Sequence, residues 1–133
     1  MTDLAGAVQI ALFTKLSAVQ GLPPVVTEVP IDDRDQPIYP FILLGDDQVT
    51  DVSSKDGRIE RHEPAIHVCM QSTTKLAVRA MQALVHAALH DQPIEAPGAV
   101  LSNPKARNQS TPLLEDGATY VGSQIFLIFA QDA

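Results

Sequence analysis

Residues 39–70, YPFILLGDDQVTDVSSKDGRIERHEPAIHVCM, decide the fold of this chain. Residues 39–44 are an apolar run that predicts a strand, and weak alternation of apolar and polar residues extends it toward Gly57. Residues 58–70 predict the returning strand, so the two segments form a long hairpin with a polar, carboxylate-rich end. Pro64 has no N–H to donate to a sheet, so it predicts an edge, a bulge or a break in the returning strand.

An amphipathic helix is predicted before this hairpin, near the start of the chain. Thr2 or Asp3 is the candidate N-cap, and the helix is expected to end at Gly21. Its apolar stripe has helical spacing and consists of Leu4, Val8, Ala11, Leu12, Leu16 and Val19. Ile10 and Phe13 lie outside the stripe, so they are either covered by the chain's own loops or left for a partner.

The clearest helix of the sequence follows the hairpin. Ser72, Thr73 and Thr74 are its candidate caps. The apolar stripe consists of Val78, Met81, Leu84, Val85, Ala88 and Leu89, and the predicted polar face of Lys75, Arg79, Gln82, His86 and His90.

The last strand is predicted at residues 120–130, after a turn at Asp116-Gly117. Residues 125–129, IFLIF, are apolar at successive positions, so both faces of the sheet require cover there. Two helices cover one face, which leaves the other to the chain's own loops or to a neighbouring subunit. These elements predict an α+β fold, an antiparallel or mixed β-sheet with two main helices packed on it and a long β-hairpin, in one domain over residues 1–133.

Composition narrows the class of protein. A chain of 133 residues with 45% hydrophobic and 19% charged residues has the balance of an ordinary folded domain. A formal net charge of −7 disfavours binding to nucleic acid, which needs clustered Lys and Arg. Cys69 is the lone cysteine and cannot form an internal disulfide. The first residues have Asp3 early, no basic n-region and Lys15 inside their apolar run, so neither a signal peptide nor a membrane span is expected there. Synthesis in the cytoplasm is expected.

Four histidines and one cysteine raise the question of a catalytic or metal site. His86 and His90 have the four-residue spacing of a helical metal pair, but a solvated polar face explains them better. His62 and His67 lie five apart on a strand, hence on opposite faces, and cannot share an ion without a bulge. Cys69, between Val68 and Met70, is predicted to be a buried apolar residue.

The carboxylates of the hairpin do not follow a known calcium pattern. Asp46, Asp47, Asp51 and Asp56 lack the ligand order, central glycine and closing Glu of an EF-hand. The seven glycines form no phosphate-binding loop. No cofactor, metal or catalytic residue is therefore predicted, and the chain is not expected to be an enzyme.

The order of these segments resembles a known family. An N-terminal helix is followed by PIYPFILLGDD, the polar hairpin QVTDVSSKDGRIE, HVCMQS, the helix KLAVRAMQALVHAALHDQPI and a final apolar strand. Over residues 5–130 this order resembles the tail terminator, or tail completion, proteins of long-tailed bacteriophages and gene transfer agents.

The resemblance implies a structural virion protein at the neck and tail junction. It would act as a hexameric ring that caps the tail tube, joins it to a neck or head-completion protein (a stopper or adaptor), and lets DNA pass without specific binding. We expect no membrane partner. The hypothetical interface residues are Ile10, Phe13, Asp46, Asp47, Asp51, Lys55, Asp56, Arg58, Phe126 and Ile128. Two alternatives are a non-catalytic intracellular adaptor and a small metal-dependent enzyme.

Overall fold

The structure is a computed structural model that describes residues 3–114 and 116–133. Within these residues there are two helices, α1 (Leu4–Ser17) and α2 (Lys75–Leu89). The strands are β1 (Val25–Val26), β2 (Phe41–Asp51), β3 (Ile59–Gln71), β4 (Ala99–Leu101), β5 (Lys105–Ser110) and β6 (Thr119–Asp132). They form one mixed sheet in the order β1-β2-β3-β6, with β4 and β5 both paired to the far edge of β6. Only β1 is parallel to its neighbour among these pairs, and the α+β prediction is confirmed.

The predicted hairpin is formed by β2 and β3, which pair from Phe41 opposite Cys69 to Asp51 opposite Glu60. Pro64 lies inside β3, between two neighbouring strands, so it is neither at an edge nor at a break. The register shifts on β2 between Leu44 and Asp47, where one extra residue forms a bulge. The bulge interpretation is therefore confirmed, although the extra residue belongs to the partner strand.

Helix α1 starts where the sequence predicts. The side chain of Asp3 accepts a hydrogen bond from the Gly6 N–H at 3.0 Å, which caps the first turn. Thr2, the other candidate cap, lies outside the described residues. The helix ends at Ser17, before Gly21, so Val19 of the predicted stripe follows the helix and is only half-buried.

Helix α2 buries part of its predicted stripe. Val78, Val85 and Leu89 are buried, whereas Leu84 is half-buried. The sequence pattern predicts Gln82 on the polar face, whereas the structure buries it fully. Its side chain donates to the Ser110 carbonyl at 3.0 Å and accepts from the Gln109 amide at 3.3 Å. Hydrogen bonds to β5 replace the water that this amide loses on burial.

Successive residues of strand β6 lie on opposite faces of the sheet. One face lies under the helices and includes Tyr120, Gly122, Gln124, Phe126, Ile128 and Ala130. The intervening residues Val121, Ser123, Ile125, Leu127 and Phe129 lie on the other face, which we call the open face because the helices do not cover it. One apolar face is therefore buried within the chain and the other stays partly accessible. Neither described helix has the length and apolar content needed to span a membrane.

Candidate functional site

The far end of the hairpin is an ordered, exposed structure. The Val52 N–H donates to the Ile59 carbonyl at 2.9 Å, and the Ile59 N–H donates to Ser53 Oγ at 2.9 Å. Beyond them Ser54 and Gly57 exchange backbone hydrogen bonds at 3.2 and 3.3 Å. Lys55 and Asp56 are thus the two central residues of a tight turn, and both side chains are held out in solvent.

Charged side chains continue from this tip along both strands. Arg58 Nε lies 3.6 Å from Glu60 Oε2, and both side chains are half-buried. Asp51 accepts hydrogen bonds from Ser53, which lower the pKa of its carboxyl below the ordinary value. This carboxylate therefore stays ionised at neutral pH and presents a fixed negative charge at the edge of β2.

A buried histidine connects the two strands at the base of the hairpin. His62 is fully buried, with Nδ1 2.5 Å from Asp47 Oδ2 and Nε2 3.0 Å from Glu60 Oε1. Both ring nitrogens face carboxylate oxygens: the contact with Asp47 joins β3 to β2, and the contact with Glu60 lies within β3 and orients the ring. Sequence reasoning missed this role because the pairing depends on the register beside the bulge.

Ile10 and Phe13 project from α1 away from the sheet. They are 54% and 44% exposed, so the chain's own loops do not cover them. Ile10 also lines a groove of about 780 Å³ with residues 93–97 and Val100. Large apolar side chains beside a groove are typical of a surface that meets another protein.

Phe126 and Ile128 must be removed from the set of interface residues. Both side chains are 0% exposed, because their positions on β6 point toward the helices. Within this fold both side chains belong to the chain's own core. The residues that the open face offers are their neighbours, and Phe129 is 41% exposed.

The open face contains an apolar surface near the hairpin that the sequence did not reveal. Val52, Ile59, Val100 and Phe129 surround a cavity of about 430 Å³. These residues come from four separate strands or loops, so only the sheet order brings them together. The hairpin, this surface and the Ile10 groove are three candidate contact regions.

The remaining histidines and Cys69 do not assemble a chemical site. His86 and His90 stack at 4.8 Å between ring centroids, and His90 Nδ1 accepts the Ala106 N–H at 3.1 Å. His67 lies on the open face, 2.8 Å from Ser123 Oγ, away from the buried His62. In residues 3–114 and 116–133, no three His, Cys, Asp or Glu side chains are placed to hold a metal ion.

Burial controls the protonation of two of these groups. It raises the pKa of the Cys69 thiol to about 11, so the thiolate needed for nucleophilic attack is scarce at neutral pH. Burial also lowers the pKa of His67, and the charge of Asp46 acts in the opposite direction. The prediction of Cys69 as a buried apolar residue is confirmed.

Comparison with known proteins identifies the class. A family model described as tail completion protein gp17 matches residues 10–130, and the chain belongs to this family. It is therefore a tail completion protein, which is a structural component of the virion and not an enzyme.

The fold itself has a solved counterpart. A chain in the virion of a native gene transfer agent particle matches with a TM-score of 0.87 and 22% sequence identity, over 98% of this chain and 99% of that chain. At this identity the likeness establishes the fold. Eighteen chains of solved structures match significantly, whereas no curated protein sequence does.

Proposed function

We propose that residues 1–133 form one tail-terminator domain that assembles into a hexameric ring. The ring caps the finished tail tube and joins it to the neck or head-completion protein beneath the capsid. The family match over residues 10–130 carries this proposal, because tail completion requires a component at the end of the tube. The exposed hairpin and the apolar pair on α1 supply surfaces for such contacts.

The hairpin suits a contact with the tube or with a neighbouring subunit. Its turn is closed by paired backbone hydrogen bonds, so it projects from the sheet in a defined direction. Asp46, Asp47 and Asp51 lie on the same strand as it leaves the body of the fold. A rigid hairpin loses little conformational entropy on binding, which favours its use in a repeated interface.

The acidic balance of the chain suits passage of DNA through the ring. A formal net charge of −7 weakens the electrostatic attraction that would hold phosphates in the lumen. DNA passes without specific binding in this proposal.

Shortening the hairpin tests the proposal. Residues 52–56 are replaced by a short glycine bridge, and we expect the fold to survive because all five are exposed. Attachment of the ring to the tube should weaken, measured by electron microscopy of purified tails and by the amount of this protein they retain. Circular dichroism and thermal melting check the fold.

A matched control separates the length of the hairpin from its charge. The double substitution Lys55→Ser and Asp56→Asn keeps the turn and removes both tip charges. If both variants give tails of normal length that join heads normally, the hairpin is excluded as a contact. If the wild-type protein is missing from purified tails, the terminator function itself is excluded.

A further inference from the structure

The two lateral sides of the sheet carry opposite charges. One side contains β1, β2 and the loop between them, and we call it the acidic side. Its exposed carboxylates are Glu28, Asp32, Asp33, Asp35, Asp46 and Asp51, with Arg34 among them. The other side contains β5 and the polar stripe of α2, and we call it the basic side. Its exposed cations are Lys75, Arg79, Lys105 and Arg107.

Contacts to β5 fix the direction in which the α2 stripe points. Gln82 and His90 both hydrogen-bond to β5, and they bracket the stripe on which Arg79 and His86 lie. Lys105 pairs with Asp91, whereas Lys75, Arg79 and Arg107 have no ion-pair partner in the described residues. The basic side therefore presents cations that are available to an outside partner.

The edge of β5 on the basic side is not suited to backbone pairing with a strand of another copy. The outward Ala106 N–H already donates to His90, and the Ser110 carbonyl already accepts from Gln82. A bulge at Arg107 also interrupts the edge of β5. Side chains, not backbone hydrogen bonds, must make any contact here.

Both sides also expose large apolar residues among their charges. Leu76 is 75% exposed beside Lys75 at the start of α2, and Ile31 and Ile38 are 55% and 50% exposed next to the Asp32–Asp35 turn. Protein interfaces commonly combine apolar anchors with a charged rim. A head-to-tail ring needs two different surfaces on one chain that complement each other. The opposite sides of this sheet meet that requirement in both charge and apolar content.

We infer that the basic side of one copy binds the acidic side of the next copy around the ring. This inference rests on the ring proposed above and adds the surfaces that close it. Arg79 and Arg107 approach Asp32 and Asp51 of the adjoining copy, and Leu76 packs against its Ile31 and Ile38. The turn at Lys55 and Asp56, at the far end of the hairpin, then remains available for the tube.

Charge reversal tests the contact with three variants. The first carries Arg79→Glu and Arg107→Glu, which puts carboxylates at the proposed contact positions of both sides. The second carries Asp32→Lys and Asp51→Lys, which puts cations at the contact positions of both sides. The third carries all four changes, which exchanges the signs of the charges at these four positions. Assembly is measured as the amount of this protein retained on purified tails and as ring mass under native conditions.

The expected results follow from the signs of the charges that face each other at the proposed contact. Each of the first two variants should lose about tenfold or more of its assembly, because like charges then face each other. Mixed together they should assemble again in equal amounts, alternating around the ring, and the third variant should assemble alone. Lys15→Glu, which changes the net charge as much as Arg79→Glu, should assemble normally. Melting temperatures close to wild type verify that the folds are intact.

Two results would overturn the inference while leaving the terminator function in place. In one, all variants assemble like wild type on capped tails. In the other, the first two variants fail to assemble and neither mixing nor the third variant restores assembly, which would assign these charges to another virion protein or to DNA. Wild-type protein that forms rings but is never found on tails would instead refute the proposed function.

Discussion

The two faces of strand β6 have similar sequences and opposite environments. Phe126 and Ile128 are fully buried under the helices, whereas Phe129 on the open face is 41% exposed. Both sets alternate within the same apolar run, so hydrophobicity alone does not distinguish them. The difference shows that the chain has helices for one face only, and that the open face keeps apolar surface for other contacts.

The largest expected effect is a difference in the free energy of unfolding between alanine substitutions of two phenylalanines on β6. Phe126→Ala should lower the free energy of unfolding by about 3–5 kcal/mol, because it removes buried contacts and leaves a cavity. Phe129→Ala serves as the matched control and should lower it by only about 1 kcal/mol, because its ring is already partly hydrated. Chemical denaturation monitored by circular dichroism measures both. Equal losses would mean that the two faces are equally buried.

A smaller effect concerns the fit of α2 on the covered face. A Cβ atom at Gly122 would lie 2.6 Å from Gln82 Nε2 and 2.9 Å from Val78 Cγ1. Gly122→Ala should therefore displace α2 and lower the free energy of unfolding by about 1–3 kcal/mol. Gly57 has no atom within 4 Å of such a Cβ, so Gly57→Ala should stay within about 0.5 kcal/mol of wild type. Thermal unfolding of the two variants measures the difference. If Gly122→Ala is as stable as wild type, α2 packs less closely against β6 than these distances indicate.

The smallest effect lies on the open face and depends on pH. Burial lowers the pKa of His67 in the folded protein, so the unfolded chain binds this proton more readily. The contribution of His67 to stability is therefore present above its unfolded pKa of about 6.5 and is lost as the pH falls below that value. His67→Gln should show a weaker loss of stability between about pH 7.5 and 5.5. Identical pH profiles for the two proteins would contradict this assignment.

Local patterns predicted the elements because each pattern has a direct physical cause. Alternation and apolar runs located the long hairpin, and the spacing of Val78, Val85 and Leu89 located α2. Gln82 could not be placed in this way, since an amide is exposed by default. It is buried here because Gly122 leaves space and β5 offers hydrogen-bond partners, both of which are distant in sequence.

The candidate interface residues also differ in how far the sequence alone could place them. Helical geometry excludes Ile10 and Phe13 from the stripe of α1, but the sequence leaves open whether the chain's own loops cover them, and only the structure shows that both are exposed. The sequence predicts Phe126 and Ile128 as interface residues, whereas both lie on the face of the sheet that the helices cover. A strand with apolar residues at every position does not itself specify which face its helices will cover.

The sequence by itself determined the class of fold, the long hairpin, the acidic balance and the resemblance to tail completion proteins. These depend on local periodicity, composition and the order of segments. Only the tertiary structure decided which face of β6 is covered, where His62 connects the hairpin strands, and that opposite charges collect on opposite sides of the sheet. Those features arise from strand order and register, which join residues far apart in the chain and are set by packing of the whole domain.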